Sequence, residues 1–94
     1  MTLRLIPLAL IALTASPVWA GKAFVSNERG NTISVVDTET WEQVDEFFGG
    51  NRPRGITLSP DGALLYVCAS DDSLIRVFDT ATHQELYTLP SGPD

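Results

Sequence analysis

The chain has 94 residues, one cysteine and a formal net charge of −6, with twelve acidic against six basic side chains. This acidic balance argues against nucleic acid and anionic lipid as partners, because both carry the same sign of charge as the protein. A single cysteine excludes an internal disulfide, and the length allows one small domain.

The first 20 residues predict a secretory signal peptide. Residues 1–4 carry one positive charge, residues 5–15 are apolar except at Pro7 and Thr14, and the triplet before Gly21 has a small residue at each end. This order is typical of a signal peptide, with cleavage expected here after Ala20. A transmembrane anchor is the alternative, but a bilayer span needs about 20 apolar residues and this run is shorter. We therefore expect a periplasmic protein with no stable membrane span after cleavage.

A 42-residue repeat fills the remainder of the chain. Residues 23–50 align without a gap on residues 65–92, so that Asp37 meets Asp79. A period near 40 residues, carried by short β-type runs, is typical of β-propeller blades. The expected fold is all-β, with one four-stranded antiparallel blade equivalent plus three further strands. The predicted strands cover residues 23–27, 32–37, 43–48, 55–58, 65–69, 74–79 and 85–90.

Turn residues separate these runs. The sequence Ser-Pro-Asp-Gly at residues 59–62 predicts a type I turn. Asp37 and Asp79 open equivalent turns, so each carboxylate is expected to cap its own turn rather than to form an acid–base or metal pair. The run 43–48 is polar enough for the outermost strand of a blade. Cys68 lies in an apolar run, where we expect a small buried side chain.

The ordered motifs resemble the YVTN-type β-propeller repeat. They are AFVSN at 23–27, TISVVDT at 32–38, GNRPRGI at 50–56 and LSPDG at 58–62. The start of the predicted mature chain, GKAFVSN, is also similar to exported propellers associated with catabolism that depends on pyrroloquinoline quinone (PQQ). Propellers of this kind usually have about seven blades. The resemblance therefore implies that residues 21–94 are an incomplete propeller domain, the N-terminal piece of a longer protein.

Loops between blades are the expected place for binding. Three loops should share one end of the blades, namely residues 28–31, 49–54 and 70–73. Within them Asn51, Arg52 and Arg54 are the candidate binding residues, because two guanidinium forks beside a proline suit a carboxylate or another anion. The alternative is that the arginines brace neighbouring blades by pairing with Asp71, Asp72 or backbone carbonyls.

No other motif in the sequence indicates chemistry. His83 lacks a second His or Cys at metal-ligand spacing, and we expect it to be solvated. Trp41 aligns with His83 and should lie in a turn. Neither a nucleophile–base pair nor a phosphate loop is recognisable, so the sequence predicts no catalytic residue, no metal and no cofactor.

The resemblance implies an exported, non-enzymatic binding or accessory scaffold that supports PQQ-dependent periplasmic oxidation. Its expected partners are other proteins or missing propeller blades, with a quinoprotein dehydrogenase system among the protein candidates. The alternative is a fragment of a propeller enzyme, a quinoprotein-like oxidoreductase or a lactonase-like hydrolase, whose site lies in missing blades.

Overall fold

The computed structural model describes residues 21–92, which form two antiparallel sheets. The first sheet has the order β1-β2-β3 and the second has the order β4-β5-β6-β7. The strands are β1 Lys22–Asn27, β2 Thr32–Asp37, β3 Gln43–Phe48, β4 Pro53–Leu58, β5 Leu64–Ala69, β6 Leu74–Asp79 and β7 Glu85–Pro90. The predicted signal peptide lies outside the described residues. Between residues 21 and 92 no helix is long and apolar enough to span a bilayer.

All seven predicted strands are present, and β2, β3, β6 and β7 have the predicted bounds. The largest difference is at β4, which begins at Pro53 and not at Gly55. Proline has no N–H to donate, but the first residue of an edge strand tolerates that loss. Pro53 stands opposite Ala69, and the register shifts before Ile56 pairs with Val67. The predicted loop of residues 49–54 is therefore shorter than expected and ends at Arg52.

The two copies of the 42-residue repeat share the same irregularity in strand pairing. The β2–β3 register shifts between Val35 and Val36, and the β6–β7 register shifts between the equivalent Val77 and Phe78. Such irregularities bend a strand and increase the local twist. The two hairpins are therefore copies of one another in shape as well as in sequence.

The core lies between the two sheets. Ile33 of the first sheet packs with Leu65, Val67 and Phe78 of the second, and each of the four is at most 2% exposed. The partly buried side chains of Phe24, Phe47 and Ile56 pack against this cluster. Full burial of one such side chain stabilises the fold by about 1.5–3 kcal/mol. This cluster holds the inner faces of the two sheets together. The loops at the ends of the sheets are thereby brought next to one another.

Strand burial confirms one prediction and corrects another. Every residue of β7 is exposed and β3 is nearly so, as expected for the outermost strand of a blade. Cys68 was predicted to be buried, and this was wrong, because the side chain is exposed. Its neighbours Val67 and Ala69 are buried, and side chains alternate between the two faces of a strand. Cys68 therefore points away from the first sheet.

The predicted turns are formed. Asp37 Oδ1 accepts hydrogen bonds from the N–H groups of Glu39 and Thr40 at 2.7 and 3.2 Å. Asp79 does the same for Ala81 and Thr82 at 2.7 and 3.0 Å. At the predicted type I turn, the Gly62 N–H donates to the Ser59 carbonyl at 2.9 Å. The two aspartates thus cap their own turns.

Candidate functional site

Residues 49–52, here called the connecting loop, carry the chain from the first sheet to the second. Gly50 adopts φ +102°, a conformation that side chains other than glycine rarely take. A Cβ at this position would lie 2.5 Å from the Ala69 Cβ and 2.7 Å from the Arg76 Nε. The close approach seats the connecting loop directly on the second sheet.

Asn51 joins the connecting loop to the loop after β5. Its backbone N–H and its Nδ2 donate to the Asp72 carboxylate at 2.9 and 2.8 Å. Its carbonyl accepts from the Asp71 N–H at 3.2 Å. The N–H of Asn51 holds the pKa of Asp72 below its usual range, because a hydrogen bond to the charged form favours that form.

Arg52 contacts both flanking loops. Its N–H donates to the Asn31 Oδ1 at 2.8 Å, and its carbonyl accepts from the N–H and the Oγ of Ser70, both at 3.1 Å. Its guanidinium Nε lies 2.9 Å from Glu28, and another of its nitrogens lies 3.6 Å from Asp71. The three loops predicted to share one end therefore meet at this residue.

Arg54 shares the carboxylate of Glu28 with Arg52. Its Nε lies 3.8 Å from the Glu28 Oε2, and its carbonyl accepts from the Ser26 Oγ at 3.1 Å. The hydrogen bond from Arg52 lowers the pKa of Glu28, and the nearby charges of Arg52, Arg54 and Arg29 act in the same direction. The same hydrogen bond raises the pKa of Arg52.

The structure brings the three predicted residues together at one end. Asn51 and Arg52 make contacts with Asp72 and Asp71, the partners expected of a bracing role. The side chains of Arg52 and Arg54 nevertheless remain 45% and 51% exposed, so their outer surfaces are open to an incoming group. Binding at these residues stays a prediction.

Arg76 is a partner of this site that the sequence analysis did not single out. Its side chain is only 18% exposed and lies between Asp72 at 3.1 Å and Glu85 at 2.9 Å. Its guanidinium also lies 5.5 Å from the centre of the Phe48 ring, over the ring face. The signal for it was a lone charge inside an apolar strand, four residues after an aspartate. Arg76 links β6, β7 and the end of β3 beneath the connecting loop.

His83 was predicted to be solvated, and this was wrong. Its side chain is 13% exposed, because the ring stacks on Phe47 at 5.4 Å and meets the edge of Phe24 at 6.0 Å. Its Nδ1 lies 2.6 Å from the Asp45 Oδ2 and its Nε2 lies 3.1 Å from the Lys22 Nζ. The hydrogen bond to His83 lowers the pKa of Asp45.

The partners of His83 contact both nitrogens of its ring. A lysine ammonium only donates, so the neutral ring can accept from Lys22 at Nε2 only in the tautomer whose Nδ1 carries the hydrogen that Asp45 accepts. The three side chains thereby connect β1, β3 and the β6–β7 turn. The sequence could not show this, because Asp45 and His83 are 38 positions apart.

Trp41 lies in a turn, as predicted. Its φ is 63°, close to the value of 66° at His83, the equivalent residue of the second sheet. It is 73% exposed, since no second sheet stands over it as the first sheet stands over His83. Within residues 21–92, no group of three or more His, Cys, Asp or Glu side chains is arranged to hold a metal ion.

Comparison with known proteins supports the fold assigned from the repeat. No family model matches the chain. Protein NirF of Pseudomonas aeruginosa is 28% identical over 74 residues, which are 77% of this chain and 19% of that protein. A chain of the Kuenenia stuttgartiensis hydrazine synthase is 30% identical with a TM-score of 0.74, over 78% of this chain and 21% of that one.

The chain thus spans about a fifth of the length of both relatives. The structural similarity confirms the all-β fold and its β-propeller type. It supports a relationship between this chain and β-propeller proteins in general. The finer resemblances, to the YVTN-type repeat and to the PQQ-associated propellers, stay predictions.

Proposed function

We propose that this chain is part of an exported, non-enzymatic β-propeller scaffold. It binds a partner protein through the end of the sheets where the loops at residues 28–31, 49–54 and 70–73 meet. The proposed setting is PQQ-dependent periplasmic oxidation, which the start GKAFVSN suggests. The observation that carries the proposal is a pair of half-exposed arginines beside Glu28, namely Arg52 on the connecting loop and Arg54 near the start of β4. The connecting loop is held by hydrogen bonds on both sides.

The half-exposed guanidinium groups at this end, which Glu28 and Asp71 contact from within the chain, are suited to carboxylates on a partner surface. Arg29, Arg52 and Arg54 all act on Glu28, so three of the basic side chains of an otherwise acidic chain stand together. Arg29 is exposed next to them. Guanidinium groups bind carboxylates with two parallel hydrogen bonds, which gives both orientation and affinity. We therefore expect the partner to present carboxylates to this end.

The hydrogen bonds that hold the loops support a binding role. The polar atoms of Asn51, Asp72 and Arg76 are used in contacts within the chain, which order the loops before any partner arrives. Preordered loops lower the entropy lost on binding. A scaffold of this kind needs only to present the outer edges of Arg52 and Arg54.

The test is a binding titration between the purified chain and a PQQ-dependent dehydrogenase of the same organism at two salt concentrations. We expect the double variant Arg52→Gln, Arg54→Gln to bind at least tenfold more weakly, and higher salt to weaken the unmodified protein. Glu39→Gln is the control, because it removes an exposed charge in the turn after β2, at the opposite end of the sheets. No binding, or an equal loss in the control, would contradict the proposal.

Export has a separate test. Mass spectrometry of the protein recovered from the periplasm should show a chain that begins at Gly21. Ala20→Arg should prevent this cleavage, because a large charged residue does not fit the small-residue exit of a signal peptide. A product that still begins at Met1 would refute export by this route.

A second candidate, a piece of a propeller enzyme, has the similarity to hydrazine synthase in its favour. In that case the reacting groups would come from several blades. Titration with PQQ or Ca²⁺ separates the two, since thermal stabilisation by several degrees would support the enzyme and contradict the scaffold.

A further inference from the structure

Glu28 is a carboxylate of the chain itself that contacts both arginines at the end of the sheets where the three loops meet, here called the loop end. Its Oε2 lies 2.9 Å from the Arg52 Nε and 3.8 Å from the Arg54 Nε. A second carboxylate, that of Asp71, lies 3.6 Å from another nitrogen of Arg52. The two guanidinium groups therefore stand side by side around one carboxylate oxygen, where a partner's carboxylate would also have to bind.

Glu28 is held much less firmly than Asp72, which is also at the loop end. The Asp72 side chain is 14% exposed, and its two oxygens accept hydrogen bonds from Asn51 and Arg76. The Glu28 side chain is 45% exposed, and its contacts at 2.9 and 3.8 Å both use Oε2. Exposed ion pairs add little to stability, because water competes for both charges. Glu28 can therefore leave the arginines at small cost, whereas Asp72 is part of the structure that holds the connecting loop.

The turn that carries Glu28 does not depend on its carboxylate. The Asn27 carbonyl accepts hydrogen bonds from the N–H groups of Gly30 and Asn31 at 3.1 and 2.9 Å. The Asn31 Oδ1 accepts from the Arg52 N–H at 2.8 Å. These bonds use no atom of the Glu28 side chain, so that side chain can swing outward while the backbone of the turn stays in place.

We propose that Glu28 takes the place of the partner's carboxylate in the free chain, and that binding at the loop end is an exchange in which the partner displaces it. This inference rests on the binding role proposed above for Arg52 and Arg54. A group tethered close to its site competes at an effective concentration in about the millimolar range. Glu28 therefore sets a threshold that an incoming carboxylate has to exceed.

The threshold selects the chemistry of the partner. One incoming carboxylate only replaces the ion pair that it breaks, so the exchange gives no net gain. A second carboxylate beside the first pairs with the other guanidinium, since Arg52 and Arg54 share a single carboxylate in the free chain. The partner chemistry that exceeds the threshold is thus a pair of neighbouring carboxylates, such as two consecutive acidic side chains on a protein surface.

Peptide titrations of the whole chain test the exchange. The probes are acetylated and amidated Glu-Glu, Gly-Glu and Gln-Gln. The unmodified protein should bind the Glu-Glu peptide, should bind Gly-Glu at least about tenfold more weakly because the second carboxylate binds intramolecularly, and should not bind Gln-Gln. Glu28→Gln should bind both acidic peptides about two- to fivefold more tightly, which is the range that an exposed ion pair supplies.

Two further variants make the comparison specific. Asp71→Asn removes the same charge at the same end but a longer contact, so it should gain less than half as much affinity as Glu28→Gln. Glu28→Ala removes the amide oxygen that the Gln variant could still offer to Arg52, and it should gain at least as much as Glu28→Gln. Circular dichroism reports whether each variant is folded.

The carbon-13 signal of the Glu28 carboxyl group reports the displacement directly. On saturation with the Glu-Glu peptide it should move to the position of an unpaired glutamate. An unchanged signal while the peptide binds overturns the proposal. So does weaker binding by both Glu28 variants, which would make Glu28 a residue that orients the arginines, or an equal gain in Asp71→Asn, which would reflect long-range charge alone.

The peptides separate this inference from the proposed function. If the Glu-Glu peptide displaces Glu28 but the dehydrogenase does not bind, the proposed partner is wrong and the exchange stands. If the dehydrogenase binds and the Glu28 variants bind it no more tightly, the exchange is wrong and the binding role stands. If no acidic peptide binds the unmodified protein or either Glu28 variant, the exchange is overturned together with the preference for carboxylates.

Discussion

Substituting Gly50 by alanine tests how the connecting loop is seated. At φ +102° an alanine is strained by about 1–2 kcal/mol. Its Cβ would also lie 2.5 Å from the Ala69 Cβ, an atom fixed by the backbone of a buried strand, and such overpacking costs about 1–3 kcal/mol. The two effects together predict a loss of about 2–5 kcal/mol in the free energy of unfolding. Small domains have only about 5–15 kcal/mol in total.

Two other glycines are matched controls. Gly62 has φ +75° with nothing within 4 Å of a Cβ, so alanine there should lose only the strain of about 1–2 kcal/mol. Gly55 has open space and no positive φ, so alanine should be neutral or stabilise by up to about 1 kcal/mol. Urea unfolding followed by circular dichroism gives all three values. If Gly50→Ala loses no more than Gly62→Ala, the close approach to Ala69 is not what seats the loop.

Three further outcomes follow from the contacts. Because the pKa of Asp72 is lowered in the folded protein, its contribution to stability is present above the unfolded pKa of about 3.9 and is lost as pH falls through the folded pKa. Asp72→Asn should therefore have a lower free energy of unfolding at pH 7, and this free energy should fall less than that of the unmodified protein when urea unfolding is repeated at acid pH. An unchanged dependence on pH would exclude this role. His83→Ala should lose about 1–2 kcal/mol of unfolding free energy with its aromatic contacts, whereas a fully solvated His83 would give no change. Cys68 should react with a thiol reagent in the native protein, and Cys68→Ser should change stability by less than about 0.5 kcal/mol; protection until unfolding would contradict its exposure.

The sequence was sufficient for the strands because the repeat aligns without gaps and each unit carries its own turn residues. It also placed Asn51, Arg52 and Arg54 at one end, since loop order in a blade is fixed by strand order. It missed Arg76 because its position in the other unit is Ser34, so the repeat gave no sign of a charge there.

Two errors share one physical cause. Cys68 was expected inside and His83 outside, because apolar neighbours favour burial and a turn position favours exposure. Burial at these sites depends on which face meets the other sheet, and that arrangement joins residues as far apart as Lys22 and His83. Local composition carries no information on such a contact.

The pairing of neighbours along the chain has a consequence for cooperativity. Within residues 21–92, each strand pairs only with the strand before or after it, so each sheet can form from local contacts. Communication between the sheets passes through the apolar core, the connecting loop, the contacts of Arg52 and Arg54 with the first sheet, and the His83 contacts. Weakening these links should separate one unfolding transition into two, as in linear arrays where each unit is coupled only to its neighbour. The sharpness of the transition would then measure how strongly one unit senses the next.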